Sequence, residues 1–163
     1  MSERLIGVTG HKNLSVATRR LVSDAVRDEL AGVRDPVVIT SLAAGADQIC
    51  AEVALRAGGS LVVVLPARRY EETFGDESDL AGFTRLLSQA AEVISMPFEE
   101  ACEQAYWAAG REVADRADRL LAVWDGKPAA GLGGTAQVVA YARSAGKRVT
   151  VIWPDGAARA RQG

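Results

Sequence analysis

The run Leu61-Val62-Val63-Val64-Leu65 is apolar at every position, with no alternation of polar and apolar residues. A strand of this kind has no face to give to water, so both faces must be covered, as in a parallel sheet with helices above and below. Five more short β-rich runs flank it along the chain: Leu5 to Thr9, Val37 to Thr40, Glu92 to Met96, Leu120 to Trp124 and Val149 to Trp153. Between them lie segments of helical period. In Ser15 to Val33, Leu14, Ala17, Leu21 and Ala25 run beside Val22, Val26 and Leu30, a stripe with arginines and acids on its far side. Asp47 to Ala57 repeats the pattern and stops at Gly58-Gly59. Asp79 to Ala91, Phe98 to Ala117 and Thr135 to Ala145 complete a set of five helices.

Six strands alternating with five helices predict an α/β fold: a single doubly wound, mainly parallel six-stranded sheet with helices on both faces, a Rossmann-like three-layer arrangement. The expected strand order is 3-2-1-4-5-6 or a near variant. The 163 residues fit one domain, expected over 1–154, with 155–163 as a frayed, disordered tail.

Composition excludes several function classes. The net charge of -2 argues against a dedicated nucleic-acid binder, so no specific nucleic-acid partner is expected. Cys50 and Cys102 lie far apart, and His11 is the single histidine, so neither a disulfide framework nor a metal site is expected. No run approaches the roughly 18 apolar residues of a membrane span. The expectation is a cytoplasmic protein with no membrane partner and no cofactor.

In an open parallel sheet, ligands bind beyond the carboxyl ends of the strands, near the point where strand order reverses. The loops there are distinctive. Thr9-Gly10-His11-Lys12-Asn13 follows the first strand, and His11 reads either as a turn residue or as a ligand contact. Thr40-Ser41-Leu42-Ala43-Ala44-Gly45-Ala46-Asp47 follows the second; Asp47, at a helix start, reads as a cap or as a partner for a ribose hydroxyl. The long loop from Ala67 to Asp76 holds Arg68 and Arg69, either a lid over phosphate or a solvated face beside Glu71 and Glu72. After the fifth strand come Trp124-Asp125-Gly126 and then Gly131-Leu132-Gly133-Gly134-Thr135 before a helix. Helix N-termini carry unpaired N–H groups and positive dipole ends, and glycines let a phosphate approach them, though glycines also serve plain tight turns.

Standard nucleotide and hydrolase motifs fit poorly. The first loop lacks the P-loop Gly-Lys-Ser/Thr, and there is no G-x-S-x-G elbow. Gly131-x-Gly133-x-x-Ala136 matches the dinucleotide pattern, but with Gly163 as the last residue the helix and strand needed after Asp155 are not expected.

Taken in order, Gly7-Val8-Thr9-Gly10-His11-Lys12, Ser41 to Asp47 with Ala51-Glu52-Val53-Ala54, Leu121 to Gly126, and Gly133-Gly134-Thr135 resemble the SLOG superfamily. Its Rossmann-like domains include the Lonely Guy enzymes, often labelled lysine decarboxylases, and the DNA-processing protein A fold. The resemblance implies a nucleotide-derived ligand across the carboxyl edge of the sheet, with phosphate at Gly133, Gly134 and Thr135. It places Thr9, Gly10, His11 and Lys12 along one side, Ser41, Gly45 and Asp47 at base or ribose, and Asp125 on the rim. Lonely Guy enzymes cleave the N-glycosidic bond of nucleoside 5'-monophosphates with a glutamate from P-G-G-x-G-T-x-x-E. Here that position is Val138. The first expectation is therefore a sensor or carrier domain. The alternative is a nucleotide N-glycosidase in which Asp47 or Asp125 replaces the glutamate that would stabilise an oxocarbenium-like sugar. A third is a subunit with a vestigial cleft. A homodimer or higher homo-oligomer is also expected, with the alanine-rich fourth helix serving either as core or as a dimer face.

Overall fold

The computed structural model describes residues 3–128, 132 and 134–160. The chain forms β1 (Leu5–Gly10), α1 (Val16–Leu30), β2 (Val37–Thr40), α2 (Ala46–Arg56), β3 (Ser60–Leu65), a 3-10 turn (Tyr70–Thr73), α3 (Glu77–Leu87), β4 (Glu92–Ser95), α4 (Glu103–Arg116), β5 (Arg119–Val123), α5 (Thr135–Ser144) and β6 (Arg148–Ile152). All strand pairs are parallel.

Side-chain alternation along the strands sorts the core into two layers. Val38, Leu61, Val63, Leu121 and Val123 pack under α1, α2 and α3, while Ile39, Val64, Leu120 and Ala122 pack under α4 and α5. β2 and β5 are buried at every position, which is why their sequences carry no polar alternation. Each fully buried Val, Leu or Ile side chain contributes roughly 1.5–3 kcal/mol.

The strand order is β4-β3-β2-β1-β5-β6, a variant of the expected 3-2-1-4-5-6 in which β4 lies outside β3 instead of between β1 and β5. The fourth strand extends the sheet beyond β3, and α4 then carries the chain back to lay β5 beside β1. β4 is mostly exposed. Its Glu92 and Ser95 suit an edge, where a central strand would need apolar residues. Strand order reverses between β1 and β5, so the loops leaving these two strands border the same crevice.

Helix boundaries follow local hydrogen bonding. The Ser15 side chain accepts from the Thr18 amide at the start of α1, and the Asp76 carboxylate accepts from the Asp79 amide at the start of α3. Gly58 (φ 79°) ends α2, with the Gly59 amide donating back to Ala54 O. α4 starts at Glu103, five residues after the expected Phe98. The carbonyls of Phe98 and Glu99 instead accept from the amides of Arg68 and Arg69, tying that stretch to the loop after β3. On α4, Ala105, Ala109 and Ala114 are buried and Ala108 is half-buried, while Ala101 precedes the helix.

The segment expected to fray folds back on the molecule as far as it is described. The Ala158 amide donates to Thr18 Oγ1 (2.7 Å) and the Ala160 amide to Asn13 O (2.7 Å), and Leu14 and Arg159 form an antiparallel bridge. Among the described residues, no helix is long and apolar enough to cross a membrane.

Candidate functional site

Gly10 at the end of β1 is in register with Val123 at the end of β5. A Cβ on Gly10 would lie 2.5 Å from Ala46 Cβ and 2.8 Å from Val123 Cβ, so only glycine lets α2 and β5 close on this point. The His11 amide continues the ladder by donating to Val123 O (3.0 Å). Its ring meets the next loop, where the Asp125 amide donates to His11 Nε2 at 3.1 Å. Asp125 Oδ1 lies 3.3 Å from the same nitrogen. Burial, and next the Arg159 guanidinium, lower the His11 pKa from 6.5, outweighing the nearby Asp125 carboxylate.

Asp125 is arranged to remain charged. Burial works against its charge, but the Lys127 amide, His11 and Arg159 together hold its carboxyl below the ordinary value. The Lys127 amide donates to Oδ1 at 3.0 Å, closing a turn in which Gly126 stands at φ 82° and the Trp124 indole donates to Lys127 O.

The loop after β2 is held under strain. Leu42, fully buried, takes φ 55°, an uncommon conformation for a leucine, with its amide on Thr40 Oγ1 (3.0 Å). Asp47, in the first turn of α2 and 7% exposed, accepts from the Ala43 amide at 3.2 Å. Its carboxyl is pushed up to about 6 by burial, against the pull of the Ala43 amide, the Thr40 hydroxyl, Lys12 and the Ser41 amide. Gly45 has φ 80°, and a Cβ there would lie 2.4 Å from Lys12 O and 2.6 Å from His11 O. It is the point at which the β2 loop lies on the backbone of the β1 loop, and the Ala46 amide donates to His11 O beside it.

These loops surround a cavity of about 570 Å³ at the carboxyl edge of the sheet. Thr9, Gly10, His11 and Lys12 line it from β1, Ser41 and Asp47 from β2, Asp125 from β5, and Gly134 and Thr135 from the start of α5. Gly45 stands behind this lining, and Gly133, the remaining expected contact, lies outside the described residues. Thr135 is the first residue of α5, whose N-cap Gly134 has no side chain to occupy the helix start. Val138 is 2% exposed, also borders the cavity, and packs so tightly on α4 that a Cβ on Gly110 would meet its Cγ2 at 2.6 Å.

Arg68 and Arg69 do not line the cavity. Arg69 bonds Glu72 at 2.6 Å and Glu100 at 3.1 Å, and Arg68 lies 3.9 Å from Glu99. They form a solvated ion-pair face.

Among the lining residues that sequence reasoning did not assign to the site are Tyr70, Tyr106, Lys127 and Arg159. Lys12 Nζ stands 5.0 Å from the centre of the Tyr106 ring, a cation–π pair on the cavity wall. Tyr106 lies on the apolar stripe of α4, where nothing in the sequence separates a core aromatic from a wall aromatic. Arg159 comes from the segment expected to fray. Among the described residues the cavity thus gathers Lys12, Lys127 and Arg159 against the carboxylates of Asp47 and Asp125. Its size is that of small-molecule sites, and its charge suits an anionic ligand with hydrogen-bonding groups.

No protein-family model and no curated protein sequence matches the chain. Solved structures do. DNA processing protein A from Streptococcus pneumoniae aligns at TM-score 0.69 and 18% identity over 93% of this chain, which spans 50% of that protein's length. The Helicobacter pylori protein of the same name, known for its single-stranded DNA binding mode, aligns at 0.69 and 15% over 97% of this chain and 69% of its own. The molybdenum cofactor carrier protein of Chlamydomonas reinhardtii aligns at 0.57 and 19% over 90% of this chain and 73% of its own. At these identities the likeness is one of fold, an α/β Rossmann-like three-layer fold.

Proposed function

We propose that this protein binds a nucleotide or nucleotide-derived small molecule at the carboxyl edge of its sheet, as a sensor or carrier domain. The observation that supports this best is the convergence on one cavity of the α5 start at Gly134 and Thr135 with Lys12, Lys127 and Arg159. Helix N–H groups and cationic side chains together suit a phosphate. Thr9, Gly10, His11, Ser41 and Asp47 are left for sugar and base. Gly133 is proposed as a further phosphate contact, and Gly45 as the residue that sets the shape of the wall. The apolar Val138 at the catalytic glutamate position of the Lonely Guy motif favours binding over turnover. The Chlamydomonas neighbour, named as a cofactor carrier, lends weight to a carrier role.

The test is thermal stabilisation of the purified protein by nucleosides, their mono- and diphosphates, molybdenum cofactor and a short single-stranded oligonucleotide. The expected result is a higher melting temperature with a phosphorylated small molecule, lost in Gly134→Glu and reduced in Thr135→Val. Ligand binding unchanged in both variants would overturn the phosphate assignment. Stabilisation by the oligonucleotide alone would transfer the Helicobacter neighbour's ligand class to this chain. Association into a homo-oligomer is part of the proposal, with sedimentation as its test.

A second reading, nucleotide N-glycosidase, draws on the split between two carboxyls lining one cavity. Asp47 is pushed up to about 6 while Asp125 is held low, a division that suits a proton donor and a charged stabiliser. Release of free base from a nucleoside monophosphate, abolished in Asp47→Asn or Asp125→Asn, would establish it in place of the first.

A further inference from the structure

The 155–160 segment turns at Gly156 (φ 87°) and is fastened to the start of α1 by its backbone: Ala158 on Thr18 and on the Ser15 amide, Ala160 on Asn13. This docking delivers Arg159 to the cavity. Its guanidinium is held on one edge, where Nε and Nη2 both donate to Asn13 Oδ1 at 3.1 and 2.9 Å. Asn13 is a neutral acceptor, so the two bonds orient the group and leave its charge in place.

The remaining terminal nitrogen, Nη1, lies 4.0 Å from Asp125 Oδ2, beyond hydrogen-bond range. Asp125 already accepts from the Lys127 amide. The contrast with Arg69 is direct. That arginine is closed onto Glu72 through two of its nitrogens, in the side-by-side geometry that carboxylates favour. Arg159 is oriented like a binding group, with its charge only loosely countered.

Resting on the binding function proposed above, we infer that Arg159 is a ligand contact, donating from Nη1 to an anionic group of the ligand, a phosphomonoester or an equivalent oxyanion. The C-terminal segment is then a wall of the site, and its docking and the ligand's binding strengthen each other. Amide exchange at Ala158 and Ala160 slows when the site is filled.

The experiment is calorimetric titration of the full chain with four common nucleosides and their 5'-monophosphates, for wild type, Arg159→Gln and Arg159→Lys. Arg159→Gln is expected to weaken monophosphate binding by about tenfold or more and to leave nucleoside binding within about twofold, the loss of one charge-assisted bond. Arg159→Lys should recover part of that loss, because it restores charge without the planar fork. Equal weakening of nucleoside and monophosphate in Arg159→Gln would mark a structural role and overturn the inference. So would monophosphate affinity in Arg159→Gln within about twofold of wild type, and in that case the binding function itself would stand. A wild-type protein that binds no monophosphate in the panel would overturn the inference, while the binding function would fall only if the diphosphates and molybdenum cofactor also failed to stabilise it.

Discussion

The Asp125 amide and the Asp125 carboxylate approach the same atom, His11 Nε2, at 3.1 Å and 3.3 Å. The amide can only donate, so Nε2 accepts and the ring proton sits on Nδ1 in the neutral imidazole. Protonation of Nε2 would break that bond and form one to the carboxylate, so the β1 and β5 loops stay joined through different partners.

His11 titration follows from this geometry. Its pKa is lowered by burial and by Arg159, so the neutral form is favoured on folding. The stability it contributes is complete above the ordinary 6.5 and is lost as pH falls through the lower folded value. With a single histidine in the chain, one imidazole signal reports the event by NMR. It is expected to titrate below 6.5. Arg159→Ala should move the midpoint upward, and Asp125→Asn should move it down. A midpoint above 6.5 would contradict the assignment.

Asp47 behaves in the opposite sense. Its carboxyl is raised from 3.8 to about 6, so its protonated form is the one that folding favours. The stability linked to it is complete below 3.8 and declines as pH rises toward 6, by roughly 3 kcal/mol in all for a shift of this size. Asp47→Asn, which keeps an acceptor for the Ala43 amide, should flatten that decline. Urea unfolding of both proteins between pH 4 and pH 7 measures it, and parallel curves would show that the residue is solvated.

Local features carried most of the fold. Val37–Thr40 matched its expected bounds and α5 its expected start because an apolar run bounded by polar or glycine residues encodes both within a few positions. The place of β4 did not follow, since parallel apolar strands carry no pairing signal and only Glu92 and Ser95 mark β4 as an edge. The loops holding the expected site residues border one cavity because the carboxyl ends of neighbouring parallel strands converge there. Arg159 was illegible for a different reason. Its position depends on hydrogen bonds to residues 13–18, 140 or more positions away, and a polar, alanine-rich terminal stretch gives no sign of them.

Gly45 is read as a residue of shape. At φ 80° and with two carbonyl oxygens within 2.6 Å of a Cβ, Gly45→Ala faces both backbone strain and overlap. The strain alone is worth about 1–3 kcal/mol. The expected outcome is a lower melting temperature together with weakened ligand binding, since the β1 loop carrying His11 and Lys12 must shift. A variant as stable as wild type would mean that the loop gives way freely.

Val138→Glu restores a carboxylate at the motif position, and it is expected to fail as a route to catalysis. The side chain is 2% exposed and pressed against Gly110, so the longer glutamate must either intrude on the α4–α5 packing or turn its charge into the cavity. A carboxylate buried without a partner would cost at least about 3 kcal/mol at neutral pH. Because burial raises a carboxyl pKa, the loss should shrink toward pH 4, where the group can be neutral. Denaturation at both pH values, with an assay for free base from nucleoside monophosphates, covers the alternatives. Full stability with base release would mean that the glutamate reaches the cavity and supports turnover there.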